Sequence, residues 1–158
     1  MKKRYYVAYG SNLNLEQMSR RCPYARPFGT STIHGYELLF KGSKTGSYLT
    51  IEKKDGGIVP VAVWEVSTYD EDRLDRYEGC PAFYYKTEMV LPVKGLRSGK
   101  VTRRRCFIYI MHEDRKLGIP CSYYVRGCEQ GYRSFGFDPE ILYEAVDRSL
   151  EVRNESGY

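Results

Sequence analysis

Three runs of strand-forming residues, Ile33–Phe40, Ser47–Glu52 and Ile58–Val66, follow one another with glycine-bearing turns between them and no helical segment. This succession constrains the fold more than any other feature of the chain. A regular alternation of strands with helices, as in a doubly wound parallel sheet, is therefore missing from this block. The helical patterns lie outside it. Leu13–Cys22 reads as a helix with Asn12 or Asn14 as its cap, Glu16 in the first turn and Pro23 stopping it. Thr68–Gly79 reads as a second. Thr68 and Glu71 form a capping-box pair, Leu74 and Tyr77 share a face, and Gly79 stands where a left-handed residue ends a helix.

The rest of the chain fills in around these elements. Arg4–Tyr9 reads as a first strand that ends at Gly10, and Tyr84–Val93 with Lys100–Met111 reads as a long hairpin around Lys94–Gly99. Pro120 opens a helix that carries Tyr124, Gly127, Gly131 and Phe135. A last helix has Asp138 as cap, Pro139 at its first position and an apolar stripe of Ile141, Leu142, Ala145, Val146 and Leu150. Strand–helix alternation is missing, so a doubly wound parallel sheet does not fit. The reading is an α+β domain, a small mixed β-barrel or strongly curved sheet with flanking helices. The 158 residues suffice for one domain with its own core. It is expected over residues 1–152, with 153–158 a polar and disordered tail.

No apolar run approaches the roughly 20 residues of a membrane span. The basic start Met1–Arg4 leads at once into Tyr9-Gly10-Ser11-Asn12, too polar for a signal peptide, so the expected location is the cytoplasm. Five cysteines without a Cys-x-x-Cys pair, and only His34 and His112 beside them, point to reduced thiols and no metal site. The net charge of +5 gathers at Arg103–Arg105 near Lys100, which reads as a solvated hairpin end and not as a nucleic-acid surface. Sixteen tyrosines suit pocket walls and interfaces, compatible with a monomer or a homodimer.

Two places invite chemistry. Tyr9-Gly10-Ser11-Asn12 joins a strand to a helix, where free N–H groups and the positive end of a helix dipole receive a carboxylate or an oxyanion. The same residues would serve equally as a plain turn and cap. Glu78 falls at the C-terminal end of the second helix and is followed by the apolar segment Gly79–Tyr85. The dipole and the desolvation would both raise its pKa towards the range of a general acid/base; its ordinary alternative is an exposed glutamate. No nucleophile elbow, His-Glu-x-x-His or dinucleotide fingerprint is present, and nothing pairs a cysteine with either histidine.

Together these segments resemble the γ-glutamylcyclotransferase family. Tyr6-Val7-Ala8-Tyr9-Gly10-Ser11-Asn12-Leu13 is similar to its opening motif, and Leu74-Asp75-Arg76-Tyr77-Glu78-Gly79 to its catalytic-glutamate motif, with Tyr85 at the tyrosine that follows. Pro120-x-x-x-Tyr124 and Gly131–Phe137 resemble its late helix and glycine pair. The resemblance spans about Tyr6 to Val146. It implies that Tyr6, Val7, Ala8, Tyr9, Gly10 and Ser11, with Asn12 adjoining, hold a γ-glutamyl group, that Glu78 is the general acid/base, that Tyr124 hydrogen-bonds the substrate, and that Tyr85 and Tyr109 line the pocket. The implied reaction is attack of the substrate's own α-amine on its γ-carbonyl, releasing 5-oxoproline and an amine, with no metal or other cofactor. Rivals are a γ-glutamylamine or γ-glutamyl-metabolite cyclotransferase on the same scaffold and a non-catalytic binding module. The leaving group would be read by rim loops Lys41–Ser47, Lys94–Gly99 and Glu113–Ile119.

Overall fold

The computed structural model describes residues 3–43 and 46–155. Five strands, β1 (Arg4–Ala8), β2 (Arg26–Ser43), β3 (Gly46–Val66), β4 (Tyr84–Gly95) and β5 (Val101–Met111), run in the order β3-β1-β5-β4-β2. The pairing of β2 with β3 closes this order into a barrel. Only β1 and β5 pair parallel; the other contacts of the ring are antiparallel. A two-residue strand, β6 (Lys116–Leu117), adds to β2. Helices α1 (Leu15–Arg21), α2 (Thr68–Tyr77), α3 (Ser122–Phe135) and α4 (Glu140–Glu155) flank the barrel. Residues Val59–Trp64 of β3 are buried without a break, because this strand is covered on both faces. Trp64 meets Phe135 of α3 edge-on at 6.4 Å, so alternation turns Val61 and Val63 to the barrel interior. The expected mixed barrel is what the chain forms.

Several local expectations shift. Ser47–Glu52 and Ile58–Val66 belong to one strand, since both pair with β2: Glu37 faces Glu52, and Ile33 faces Val59. Gly56 and Gly57 belong to a four-residue bulge, Lys54–Gly57 against Gly35, at the register shift between His34 and Tyr36, not to a reversal. Gly57 is obligatory there because a Cβ would stand 2.2 Å from the Tyr36 carbonyl oxygen. Strand β2 also begins earlier than Ile33, through a segment whose Pro27 and polar Thr30–Thr32 hide it. Helix α1 starts at Leu15, with Asn14 as its cap: Asn14 Oδ1 accepts from the Gln17 N–H at 3.0 Å. Leu13 lies before it in a 3-10 turn, Ser11–Leu13. Pro120 precedes α3, which begins at Ser122, and α4 begins at Glu140, whose N–H donates to Asp138 Oδ1 at 3.0 Å. On α4 Leu150 is exposed and Ser149 takes the buried position. The helix continues to Glu155, into the segment expected as a tail; residues 156–158 lie outside the described residues.

The cap of α2 is Ser67, one residue before the expected Thr68; its Oγ accepts from the Asp70 N–H at 3.1 Å. Glu71 is thereby released from capping and binds Arg4 of β1 at 3.2 Å and Lys86 of β4 at 2.7 Å. Lys86 also reaches Asp75 at 3.0 Å, and Tyr109 of β5 donates to Asp75 at 2.5 Å. One cluster of charges thus fastens α2 to three strands and fixes where its C-terminal end points. Ser67→Ala is expected to cost about 1 kcal/mol, read as a drop of about 2–4 °C in Tm for a domain of this size. An unchanged Tm would mean that the charged cluster alone anchors the helix.

Candidate active site

A cavity of about 260 Å³ opens at the end of the barrel where β1 finishes and β4 begins. Its wall includes Tyr6, Tyr9, Gly10, Ser11, Asn12, Glu78, Tyr109 and Tyr124, all anticipated from the sequence. The strand β1 delivers Tyr6, Tyr9 follows directly after it, and the 3-10 turn beyond Gly10 brings Ser11 and Asn12 into the wall. That turn is closed by the Leu13 N–H to the Gly10 carbonyl at 3.0 Å, so the N–H groups of Ser11 and Asn12 have no partner within it. Gly10 is held close: a Cβ there would lie 3.2 Å from the Tyr124 hydroxyl and 3.4 Å from Leu49 Cβ.

Glu78 caps the C-terminus of α2, its N–H donating to the Leu74 carbonyl at 2.8 Å. Its carboxyl faces the cavity and has no hydrogen-bond partner among the described residues. Burial raises its pKa from an ordinary value near 4.5 to about 7, with Arg21 pulling the other way. The carboxyl therefore exchanges a proton near neutrality without a large free-energy cost in either direction.

The tyrosines supply directed donors and acceptors. Tyr124 accepts from the Leu49 N–H at 3.1 Å and so keeps its own proton to donate. Tyr6 accepts from Asn12 Nδ2 at 2.9 Å and is left in the same state. Tyr84 donates to the Leu49 carbonyl at 2.8 Å and Tyr9 to the Tyr109 carbonyl at 2.6 Å, which leaves acceptor oxygens. Burial raises the pKa of Tyr6, Tyr9, Tyr84 and Tyr124, so all four stay neutral across the physiological range.

Three anticipated residues stand elsewhere. Val7 and Ala8 are buried in the core and pair with Val63 and Ala62 of β3, so neither faces the cavity. Tyr85 points away, because successive strand residues alternate and Tyr84 takes the inward position. Its hydroxyl donates to Glu113 Oε2 at 2.6 Å beside a separate groove with Tyr36 and Glu52. Tyr109 is a wall only, since its hydroxyl is committed to Asp75. Tyr48, Leu49, Tyr77, Phe83 and Tyr84 complete the lining. Phe83 and Tyr84 belong to the apolar segment expected to desolvate Glu78, and the helix pattern marked Tyr77 as packing; Tyr48 and Leu49 had no local signal.

Of the three rim loops, Lys41–Ser47 lies by the opening, next to Tyr48, although residues 44 and 45 are outside the described ones. Glu113–Ile119 joins it there through β6 and through the Gly118 N–H to the Phe40 carbonyl at 3.0 Å. Lys94–Gly99 does not. It closes the β4–β5 hairpin at the far end of β4 from Tyr84, roughly 35 Å along the strand. Near that hairpin, Arg104 covers the Tyr5 and Phe28 rings at 5.2 Å each and Arg105 approaches Glu88 at 3.6 Å. The basic run is partly spent on the barrel's own outer face.

A family model described as gamma-glutamyl cyclotransferase, AIG2-like, matches residues 6–126. Among solved structures, a gamma-glutamyl cyclotransferase is 25% identical with a TM-score of 0.77, over 91% of this chain and 86% of that one. An uncharacterized protein from Homo sapiens is also 25% identical, with a TM-score of 0.78 over 92% of this chain and 87% of its own. A yeast gamma-glutamyl cyclotransferase specific to glutathione shares the fold, with a TM-score of 0.62 at 11% identity over 94% of this chain and 97% of that one. No curated protein matches in sequence.

Proposed function

Because the chain belongs to the γ-glutamyl cyclotransferase, AIG2-like family, we propose that it converts a γ-glutamyl amide into 5-oxoproline and a free amine, with Glu78 carrying the proton. The observation that supports this most is a carboxyl with a pKa of about 7, facing a small cavity whose wall also holds Ser11 and Asn12. A γ-glutamyl amide contains its own nucleophile. Folding it so that the α-amine meets the γ-carbonyl is the kind of orientation effect worth roughly 7–11 kcal/mol, and a small enclosed cavity favours the folded form.

The proton path follows from the charges. The α-amine enters as an ammonium, and ionised Glu78 takes one proton from it. The freed nitrogen attacks the γ-carbonyl, and the resulting oxyanion is met by hydroxyl or N–H donors of Tyr6, Tyr124, Ser11 and Asn12. Donors that hold the α-carboxylate cannot serve the oxyanion, so the set divides between the two. Glu78 then protonates the departing nitrogen. One ammonium proton stays on the lactam nitrogen, and the other two leave with the amine. Within the same reading, residues 1–152 act as one domain in the cytoplasm, where the five thiols stay reduced.

The test is incubation with a panel of γ-glutamyl dipeptides and γ-glutamylamines at neutral pH, with assay of 5-oxoproline. Release from at least one class is expected, and the preferred class names the leaving amine. No release from any of them, with tight binding of γ-glutamyl ligands retained, would instead make the chain a binding module.

A further inference from the structure

Arg21, the last residue of α1, lies outside the cavity wall but touches both halves of the site. Its Nη1 donates to Ser11 Oγ at 3.1 Å and to Asn12 Oδ1 at 2.5 Å, and its Nη2 donates to Gln17 Oε1 at 2.8 Å. Its guanidinium stacks on the Tyr77 ring at 4.0 Å, one residue before Glu78. Among the described residues it has no carboxylate within ion-pairing distance. A half-buried arginine that spends its donors on neutral oxygens is poorly explained by stability alone, because its charge is left without a partner.

The hydrogen-bond directions give it a task. A guanidinium has donors only, so the Asn12 atom facing it must be the carbonyl oxygen, and the Asn12 amide nitrogen must face Tyr6. That nitrogen donates to the Tyr6 hydroxyl at 2.9 Å. The Tyr6 oxygen is thereby an acceptor towards Asn12, and its proton is free to donate into the cavity it lines. With the amide reversed, Tyr6 would donate to Asn12 and present no proton to a substrate.

The charge gives it a second task. The titratable groups that face Glu78 from the packed elements are Tyr6 of β1, Tyr9 just after it, Tyr77 of α2, Tyr84 of β4 and Tyr124 of α3. Burial raises all five above their ordinary value, so they are neutral when Glu78 titrates. Arg21 is the charged group left acting on it, and it opposes the effect of burial. We propose that Arg21 is the positioning residue of this site: it orients the Asn12 amide so that Tyr6 donates into the cavity, and it supplies the positive charge that faces Glu78. The kinetic half of this inference rests on the reaction proposed above; the electrostatic half does not.

The experiment compares wild type, Arg21→Gln and Arg21→Lys by NMR titration of the Glu78 carboxyl and by the pH profile of 5-oxoproline release. In Arg21→Gln the Glu78 midpoint should rise by about one pH unit. The acid limb of kcat/KM should move with it, so that the activity lost at pH 7 is partly restored at higher pH. Arg21→Lys keeps the charge but not the fork, so its midpoint should stay near that of wild type while KM rises several-fold. A Glu78 midpoint that is the same in wild type and Arg21→Gln would overturn the proposal. So would an Arg21→Lys protein with wild-type KM, a result that remains decisive if Arg21→Gln does not fold. Should the wild type release no 5-oxoproline from any substrate, the reaction fails while the NMR midpoints still decide the role of Arg21.

Discussion

Glu78→Gln lowers kcat for 5-oxoproline release by roughly 10²–10⁴, the range expected for losing a positioned acid/base, while γ-glutamyl ligands still bind. The glutamine keeps the shape of the side chain and its place at the end of α2. No protein group hydrogen-bonds the carboxyl among the described residues, so the change strands no buried partner. Wild-type activity should depend on pH through the same group. With Glu78 titrating at about 7, the ionised fraction that takes up the ammonium proton falls below that pH, and kcat/KM should show an acid limb there. The Gln variant should lose this limb.

Stability should move in the opposite direction. In the unfolded chain Glu78 titrates near 4.5, and in the native protein at about 7. Between these values the unfolded state has released a proton that the native state still holds. Native stability therefore falls as pH rises through that window, and the loss is complete above 7. The Gln variant escapes this cost, which is on the order of 3–4 kcal/mol. Its Tm should exceed that of wild type at pH 8 and converge with it towards pH 4. An equal Tm at both pH values, or near-wild-type turnover, would remove Glu78 from the role assigned to it.

Both ends of this site could be read locally, because each is a chain event: a strand that breaks at Gly10, and a helix that ends at Glu78 before an apolar segment. The order of strands and helices was equally visible, and it led to the mixed barrel. What could not be read is whatever depends on which elements become neighbours. Tyr48 and Leu49 join the cavity only because the hairpin end of the β2–β3 ladder meets Phe83 and Tyr84 at the start of β4, a contact that no short-range pattern encodes. The choice between Tyr84 and Tyr85 turns on strand parity, and a difference of one residue sends the side chain to the opposite face. Two adjacent hydroxyls, Ser67 and Thr68, competed for one cap in the same way. Arg21 carries no signal of its own in the sequence, because a basic residue at the end of a helix is explained by the helix dipole.

Gly131→Ala should destabilise the protein and damage the site, although alanine is the better helix former by about 1 kcal/mol. Gly131 packs α3 against the 3-10 turn, and a Cβ there would stand 2.5 Å from Leu13 Cβ, 2.6 Å from its carbonyl carbon and 2.8 Å from its carbonyl oxygen. Two of those atoms are backbone and cannot rotate away. Either α3 or the turn has to move, and overpacking of this kind costs about 1–3 kcal/mol, which outweighs the gain in propensity. Leu13 is fully buried, and its N–H holds the Gly10 carbonyl, so a shift of Leu13 carries Gly10, Ser11 and Asn12 with it. Misplacement of a positioning group by about 1 Å can cost 10² in rate, and kcat/KM should fall by at least tenfold with a Tm several degrees lower. Gly127, one turn earlier on the same helix, provides the contrast. A Cβ there would meet Gln17 Nε2 at 2.8 Å, the far end of a flexible side chain that can give way at the expense of the bond its Oε1 accepts from Arg21. Gly127→Ala should therefore lower the Tm less than Gly131→Ala. If Gly131→Ala instead melts at or above wild type with unchanged kcat/KM, the contact between α3 and the loop does not set the geometry of the site.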